Sequence, residues 1–292
     1  MVPTKILVAT DFSPAAELAV RRATELAQRF DAQLRLLHTV PPQRWLEGLL
    51  PTRQHWVEKV RARAAQALQQ LAETIGAQND IEISTIVTSG KATVAIEKAI
   101  EQFDPDLLVV GARGEGQLRQ DRGGLGHTAA KLIGTAKTPL LLVRREPDDK
   151  SDRVLAAVDL TEAATRVLRC AQGVADKGEL SVLHVFEAPF ADRLRSYGVS
   201  RKTLDVYAAD QQAECERALR GVMVDAGISS RTPKLVLRGD AVKIIDAQLR
   251  KLKAGTVAVG KHSRRKRDAA APYGSVCHYL AYFSIVDVLI AP

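Results

Sequence analysis

The sequence predicts an α/β fold: two tandem copies of a five-stranded, parallel, doubly wound sheet with strand order 3-2-1-4-5. Three observations predict it. Short apolar runs alternate with segments of helical periodicity, the pattern of βαβ units. The same set of anchor residues occurs twice, in the same order. The 292 residues, 46% hydrophobic and 26% charged, hold enough apolar material for two cores.

The repeat is read by aligning the halves. LVATDFSPAAELAVRRATELA begins at Leu7, and LAAVDLTEAATRVLRCAQGVA begins at Leu155. Each is an apolar strand, an Asp, a Ser or Thr two positions on, and an alanine-rich helix. Asp11 matches Asp159, 148 positions on. LLHTV at 36–40 matches VLHVF at 182–186, and Gly90 matches Gly239. Gly111 after LLVV matches Gly260 after VAV, and Gly126 matches Gly274. The domains predicted are 1–145 and 151–292, joined through the charged stretch RREPDDKSDR at 144–153.

Within the first copy, Lys5–Ala9 is a strand. Ser13 caps the next helix, with Pro14 in its first turn. Ala16, Ala19, Val20, Ala23, Ala27 and Phe30 share one helical face. Leu34–Val40 is apolar almost throughout, as a strand covered on both faces should be. His55–Ile75 is helical, Glu82–Val87 alternates as a strand, and Thr93–Phe103 is a helix. Leu107–Val110 is the fourth strand, Thr128–Ala136 a helix and Leu140–Val143 the fifth strand. The last strand of the second copy is entered differently: Asp287 stands where Pro139 stands in the first.

Composition narrows the function classes. The formal net charge of +8 favours an anionic partner or simple solubility. Aromatics are only 4%, too few for a base-stacking platform, and no helix-turn-helix, RNP or zinc-finger pattern is present. Specific nucleic-acid binding is therefore not expected. Cys170, Cys215 and Cys277 are scattered, with no CxxC, which argues against a disulfide framework or structural zinc. No apolar run reaches membrane-spanning length, and MVPTKILVATDF is not a signal peptide, so the expected location is cytoplasmic.

The chemistry concentrates at the carboxyl ends of the strands. With order 3-2-1-4-5, strands 1 and 4 flank the point where strand order reverses, and ligands of such sheets bind there. Asp11 follows strand 1, and the glycine-dense loop GARGEGQLRQDRGGLG follows strand 4 and runs into a helix. A carboxylate accepts hydrogen bonds from a base or ribose. Glycines let backbone amides approach phosphate oxygens, and a helix N-terminus adds positive partial charge. A Walker A motif is excluded, because Ala92 follows Gly90-Lys91 and Thr85 stands at the first glycine position. GLGHTA at 124–129 fits GxGxxA but lies too far beyond its strand to be a dinucleotide fingerprint.

These residues carry a family resemblance. ATDFS and AVDLT, LLHTV and VLHVF, DLLVVGARG, and GHTAAKLIGTAKTPLLLV resemble the universal stress protein family in its tandem two-domain form, over essentially the whole chain. The resemblance implies an adenine-nucleotide α-hydrolase-like fold, and a pseudo-dimer within one chain, with pairing of two chains left open. ATP-binding members carry Gly-x2-Gly-x9-Gly-[Ser/Thr] after strand 4. Here Gly111 and Gly114 give the first pair, but eleven residues separate Gly114 from Gly126, and His127 precedes Thr128. In the second half Ser263 replaces the second glycine, and Gly274-Ser275 closes the loop.

The resemblance implies Asp11 as a base or ribose contact, Val40 as a wall beside adenine, and Gly111, Gly114, Gly126 and Thr128 as phosphate contacts. Asp159, Val185, Gly260, Gly274, Ser275 and Val276 are the matching positions in the second half. It implies ATP, with or without Mg, in a sensor or adaptor that acts on unknown protein partners. No catalytic residue and no metal ligand is expected, nor is a dedicated enzyme. The alternative is a nucleotide-independent module for protein or an acidic or apolar ligand, suggested by Trp45 and Trp56 beside leucines in WLEGLLPTRQHWVEKV. The basic run Arg264–Arg267 replaces a glycine cradle in the second half; its reading is a solvated loop or a side-chain contact to an anion.

Overall fold

The computed structural model describes residues 2–41, 54–113, 124–175, 179–187, 197, 199–261 and 274–292, without the side chains of 54–57. Trp45, Gly114, Ser263 and Arg264–Arg267 lie outside the described residues, as does the side chain of Trp56. The elements run β1 (Lys5–Thr10), α1 (Pro14–Phe30), β2 (Gln33–Val40), α2 (Gln54–Gln78), β3 (Ile83–Ser89), α3 (Ala92–Phe103), β4 (Leu107–Gly111), α4 (His127–Thr135) and β5 (Leu140–Val143). The second repeat continues with β6 (Val154–Val158), α5 (Ala163–Val174), β7 (Leu180–Phe186), α6 (Arg201–Asp225), β8 (Lys234–Arg238), α7 (Ala241–Leu252), β9 (Thr256–Gly260), α8 (Ser275–Phe283) and β10 (Asp287–Ala291).

The chain forms two compact units. The first holds residues 2–148 together with 281–290 and Pro292. Its strands lie in the order β3-β2-β1-β4-β5-β10. The first five are parallel and reproduce 3-2-1-4-5. β10 runs antiparallel to β5, with Leu289 opposite Leu141. The second unit, Asp149–Leu280 with Ala291, has the order β9-β6-β7-β8, with β6 parallel to both β7 and β9. The compact units thus differ from the repeat boundaries in one respect: the closing strand of the second repeat lies with the first unit.

Local chemistry explains the elements. Ser13 adopts extended dihedrals and its hydroxyl accepts from Ala16 N–H, while Pro14 occupies the first helical position of α1. Asp31 and Asp104, both left-handed, end α1 and α3, a conformation short polar residues tolerate. At the other end of the sheet, one carboxylate oxygen of Asp106 accepts Thr4 N–H at 2.8 Å, Thr4 Oγ1 at 2.7 Å and Lys5 N–H at 3.1 Å, tying the starts of β1 and β4 together. The predicted face of α1 is buried at Ala16, Ala19, Val20, Ala23 and Ala27, whereas Phe30 is half-buried. Burial extends beyond that face to Arg22 and Thr24.

The expected linker is structured. Arg21 pairs with Glu146 at 2.6 Å, in the first unit. In the second, Ser151 is buried and its carbonyl accepts from Thr256 Oγ1 at 2.6 Å. Gly255 is glycine because a Cβ there would lie 2.2 Å from the Lys150 carbonyl oxygen.

Two features position the first unit's site. The strand order reverses between β1 and β4. Right-handed crossovers then place α1 and α2 on one face and α3 and α4 on the other. Gly111 ends β4 where a Cβ would stand 2.6 Å from the Ala15 carbonyl oxygen, so the glycine permits close helix–strand packing.

Candidate functional site

The carboxyl ends of β1 and β4 open a cleft of about 360 Å³ in the first unit. Its walls include Ala9, Leu37, Ala92, Ile96 and Val110, and its polar groups are Thr10, Asp11, Thr39, Arg113, His127 and Thr128. That volume is within the range of about 300–1,000 Å³ found for small-molecule pockets.

Each polar group is placed by a local device. Phe12 has φ 61°, which turns the chain sharply after β1. Thr10 Oγ1 accepts Phe12 N–H at 3.0 Å, and the Asp11 carboxylate accepts Ser13 N–H at 3.0 Å. His38, on β2, bonds through Nδ1 to the Thr10 carbonyl at 2.8 Å, and its ring stacks near Phe12 at 4.5 Å between centroids. A carbonyl only accepts, so Nδ1 carries the proton. These contacts leave the exposed Asp11 side chain at the rim.

The side of the cleft beyond β4 is built by Gly126 and α4. Gly126 N–H bonds to the Ala112 carbonyl at 2.8 Å, closing the glycine loop onto β4. No side chain caps α4, so the amides of its first turn are available where His127, Thr128 and Ala129 line the cleft. A Cβ on Gly126 would meet only ordinary contacts at 3.5 Å, so neighbouring backbone does not demand this glycine. Gly111 is the opposite case, being compelled by α1.

The second unit repeats the frame. Leu160 has φ 56°, and His184 bonds through Nδ1 to the Val158 carbonyl at 2.8 Å. Gly274 N–H bonds to the Lys261 carbonyl at 2.9 Å. Asp159 differs from Asp11 in accepting the Thr161 hydroxyl at 2.7 Å as well as Thr161 N–H at 3.3 Å. The cleft here is about 90 Å³, lined by Ala157, Val158, Val185, Ile245, Val259 and Val276 among others, with Asp159 its one polar side chain among the described residues. Thr10, Thr39 and Thr128 of the first cleft correspond to Val158, Val185 and Val276 of the second.

Of the residues singled out in the sequence, Asp11, Gly111, Gly126 and Thr128 line one cleft. Asp159, Val185, Gly260 and Val276 line the other. Gly274 and Ser275 lie at the start of α8, beside Val276. Val40 is placed differently. It is buried at the end of β2, its carbonyl accepts Gly90 N–H at 3.0 Å, and the cleft wall is formed by Leu37 and Thr39. Its true counterpart is Phe186, whose carbonyl accepts Gly239 N–H at 3.0 Å. Val185 corresponds to Thr39, because alternation along a strand sends neighbouring side chains to opposite faces. Sequence reasoning missed Thr10, Thr39 and Arg113; the aligned Thr/Val pairs were the available signal for the two threonines.

Buried charge elsewhere in the first unit perturbs two groups. Burial pushes the Asp287 carboxyl up to about 6, against the lowering influence of Arg144 N–H and nearby Arg22 and Arg145. Burial, helped by the Arg113 charge, lowers Arg144 to about 10. In the second unit burial raises the Cys277 thiol to about 12, so it is not a reactive thiolate. Among the described residues no cluster of His, Cys, Asp and Glu is arranged to hold a metal ion, and no helix is long and apolar enough to cross a membrane.

Comparison with known proteins agrees with this architecture. The chain is 26% identical over 147 residues to universal stress protein YxiE of Bacillus subtilis, a match covering 48% of this chain and 98% of that one. It is 33% identical over 109 residues to the universal stress protein A homolog of Haemophilus influenzae, covering 36% and 74%. Among solved structures, a universal stress protein from Archaeoglobus fulgidus superposes with a TM-score of 0.70 at 20% identity, covering 98% of this chain and 97% of that one. The model of the universal stress protein family matches twice, over residues 3–144 and 150–292, and the chain belongs to that family, with two copies of its domain in tandem.

Proposed function

We propose that the first unit binds an adenine nucleotide, ATP first among the candidates, and that the second unit does not. The observation that carries this is the set of three threonines that line one cleft with Asp11, beside the N-terminus of α4. Asp11 and Thr39 supply acceptors and donors for ribose and base edges. Thr128 and the α4 amides supply donors for phosphate oxygens. The space beside Gly126 lets a phosphate approach the backbone. Any Mg would be held through the phosphates rather than by a protein cage.

The second cleft keeps Asp159 and the glycines but presents methyl groups at all three threonine positions. Its size and lining favour an apolar group, which is where the nucleotide-independent reading applies. We read the whole as a cytoplasmic sensor or adaptor rather than a dedicated hydrolase, because among the described residues no general base or acid is placed for attack on a phosphate.

The test is to purify the protein without added nucleotide, denature it, and resolve the supernatant by anion exchange at 260 nm, then titrate ATP by calorimetry. One adenine nucleotide per chain, lost in the Thr39→Val/Thr128→Val double variant, is the expected result. Two per chain would overturn the asymmetry; no release and no titration signal would overturn nucleotide binding.

A further inference from the structure

We propose a second anion site in the first unit, on the α1 side of β4, where Arg113 and Arg144 meet the first turn of α1. It suits a small phosphate-class oxyanion. The cleft is separate from the nucleotide cleft, measures about 590 Å³, and is lined by Ser13, Ala15, Arg21, Arg113, Arg144 and Ile285 among others. Arg113 alone among these lines both clefts.

The arginines set the chemistry. Arg21 is held at the rim between Glu17 at 2.7 Å and Glu146 at 2.6 Å, so its charge is already matched. Arg144 is different. Its Nη2 donates to the Ala281 carbonyl, which fixes the guanidinium, and its Nε is buried with no hydrogen-bond partner. Asp287 accepts the backbone N–H of Arg144 at 2.8 Å and attracts its charge from there, while burial still outweighs that attraction. The Arg113 charge acts on Arg144 unfavourably. Two guanidiniums of like charge thus share one cleft, and one of them carries an unsatisfied donor.

An oxyanion relieves the like-charge cost. It places negative charge between the two guanidiniums that line the cleft and accepts hydrogen bonds from them. The third wall adds to this. α1 presents its N-terminal end, where Pro14 has no N–H and the Ser13 hydroxyl already serves Ala16. The Ala15 amide has no partner within the helix. Glu17 and Glu146 on the outer rim disfavour an extended polyanion, which limits the occupant to a small one.

The experiment titrates inorganic phosphate against the full chain, following ³¹P line broadening. Saturable broadening is expected, retained in Thr39→Val/Thr128→Val and weakened at least tenfold in Arg144→Gln, whose ATP titration stays unchanged. Should Arg144→Gln fail to fold by circular dichroism, Ile285→Glu takes its place. Ile285 is 74% exposed, so the substitution sets a carboxylate at the rim without disturbing the interior, and a fivefold weakening is expected. Adding ATP distinguishes the source of the phosphoryl group. Undisturbed phosphate binding marks a free anion as the occupant. Displacement that also depends on Arg144 marks the phosphates of a bound nucleotide reaching past Arg113. Unsaturable broadening overturns the site. So does broadening lost in the threonine variant but intact in Arg144→Gln and Ile285→Glu.

Discussion

The two clefts share a frame and differ in lining. In each, the residue after the strand-1 Asp is left-handed, at 61° and 56°. In each, a histidine on the second strand bonds the carbonyl before that Asp at 2.8 Å. In each, a glycine at positive φ donates to the end of the second strand at 3.0 Å. The linings diverge by three hydroxyls, Thr10, Thr39 and Thr128 against Val158, Val185 and Val276. Thr and Val have nearly the same shape, so the exchange keeps packing while removing donors and acceptors. The repeat therefore separates what the two frames share from what one lining adds: glycine, histidine and aspartate stand in both halves, and the three threonines stand in the first alone.

Breaking the frame gives the largest effect. Gly111→Ala places a Cβ 2.6 Å from the Ala15 carbonyl oxygen and 2.8 Å from its carbon. Backbone does not rotate away as a side chain does, so β4 and α1 must separate, at a cost of about 3 kcal/mol or more. Chemical denaturation should show that loss, and ATP binding should fall with it. Gly126→Ala, meeting only contacts of 3.5 Å, should leave stability within about 1 kcal/mol while reducing nucleotide affinity. Equal destabilisation by both substitutions would remove the distinction between the packing glycine and the cradle glycine.

Exchanging the linings sharpens the comparison next. Thr10→Val/Thr39→Val/Thr128→Val makes the first cleft resemble the second. At about 1 kcal/mol for each hydrogen bond, ATP affinity should drop roughly 100-fold. The protein should remain folded, because Val fits where Thr did. An unchanged affinity in calorimetry would show that the hydroxyls point to water rather than to ligand.

The sequence shows the frame more plainly than the lining, for a physical reason. A parallel strand buried on both faces is a continuous apolar run, and a left-handed turn or close approach calls for Gly, Asp or Asn. Lys5–Ala9, Leu34–Val40 and Gly111 were legible on those grounds. A cleft wall is set by which residues of a buried strand face outward past its end. One residue of misregister sends a side chain to the opposite face, and Val40, aligned against the wrong valine, shows that consequence. Asp287 was invisible as a buried charged group because β10 lies against β5, a pairing between residues about half the chain apart. Nothing local to FSIVDV at 283–288 announces it.

The strand entries form a second, smaller comparison. Pro139 leads into β5 and Asp287 into β10. Asp287 is fully buried and holds its proton up to about 6 in the folded protein, against 3.8 for the free side chain. Between these values the folded state binds more protons than the unfolded state, so stability falls as pH rises through the window. The contribution is fully present below pH 3.8 and lost above about 6, a change of about 3 kcal/mol. Asp287→Asn should flatten the pH dependence of the denaturation midpoint between pH 4 and 6.5. A slope that survives the substitution would assign it to another carboxyl.

The smallest effect compares two hydroxyls at equivalent positions with different partners. Ser13 Oγ accepts Ala16 N–H and caps α1. Thr161 Oγ1 donates to Asp159, and α5 begins at Ala163, its N-cap Glu162 making no side-chain cap. Ser13→Ala removes a cap and should cost about 1 kcal/mol, a fall of about 2–4 °C in melting temperature. Thr161→Ala removes no cap; it withdraws a donor from a half-exposed carboxylate, which water replaces, and should shift the melting temperature by less than half as much. Measured side by side, a larger shift for Thr161→Ala would mean that the Asp159 turn, rather than the helix start, holds the loop after β6. In that case the aspartate of the second unit is retained for the fold, whatever the first unit's aspartate does for a ligand.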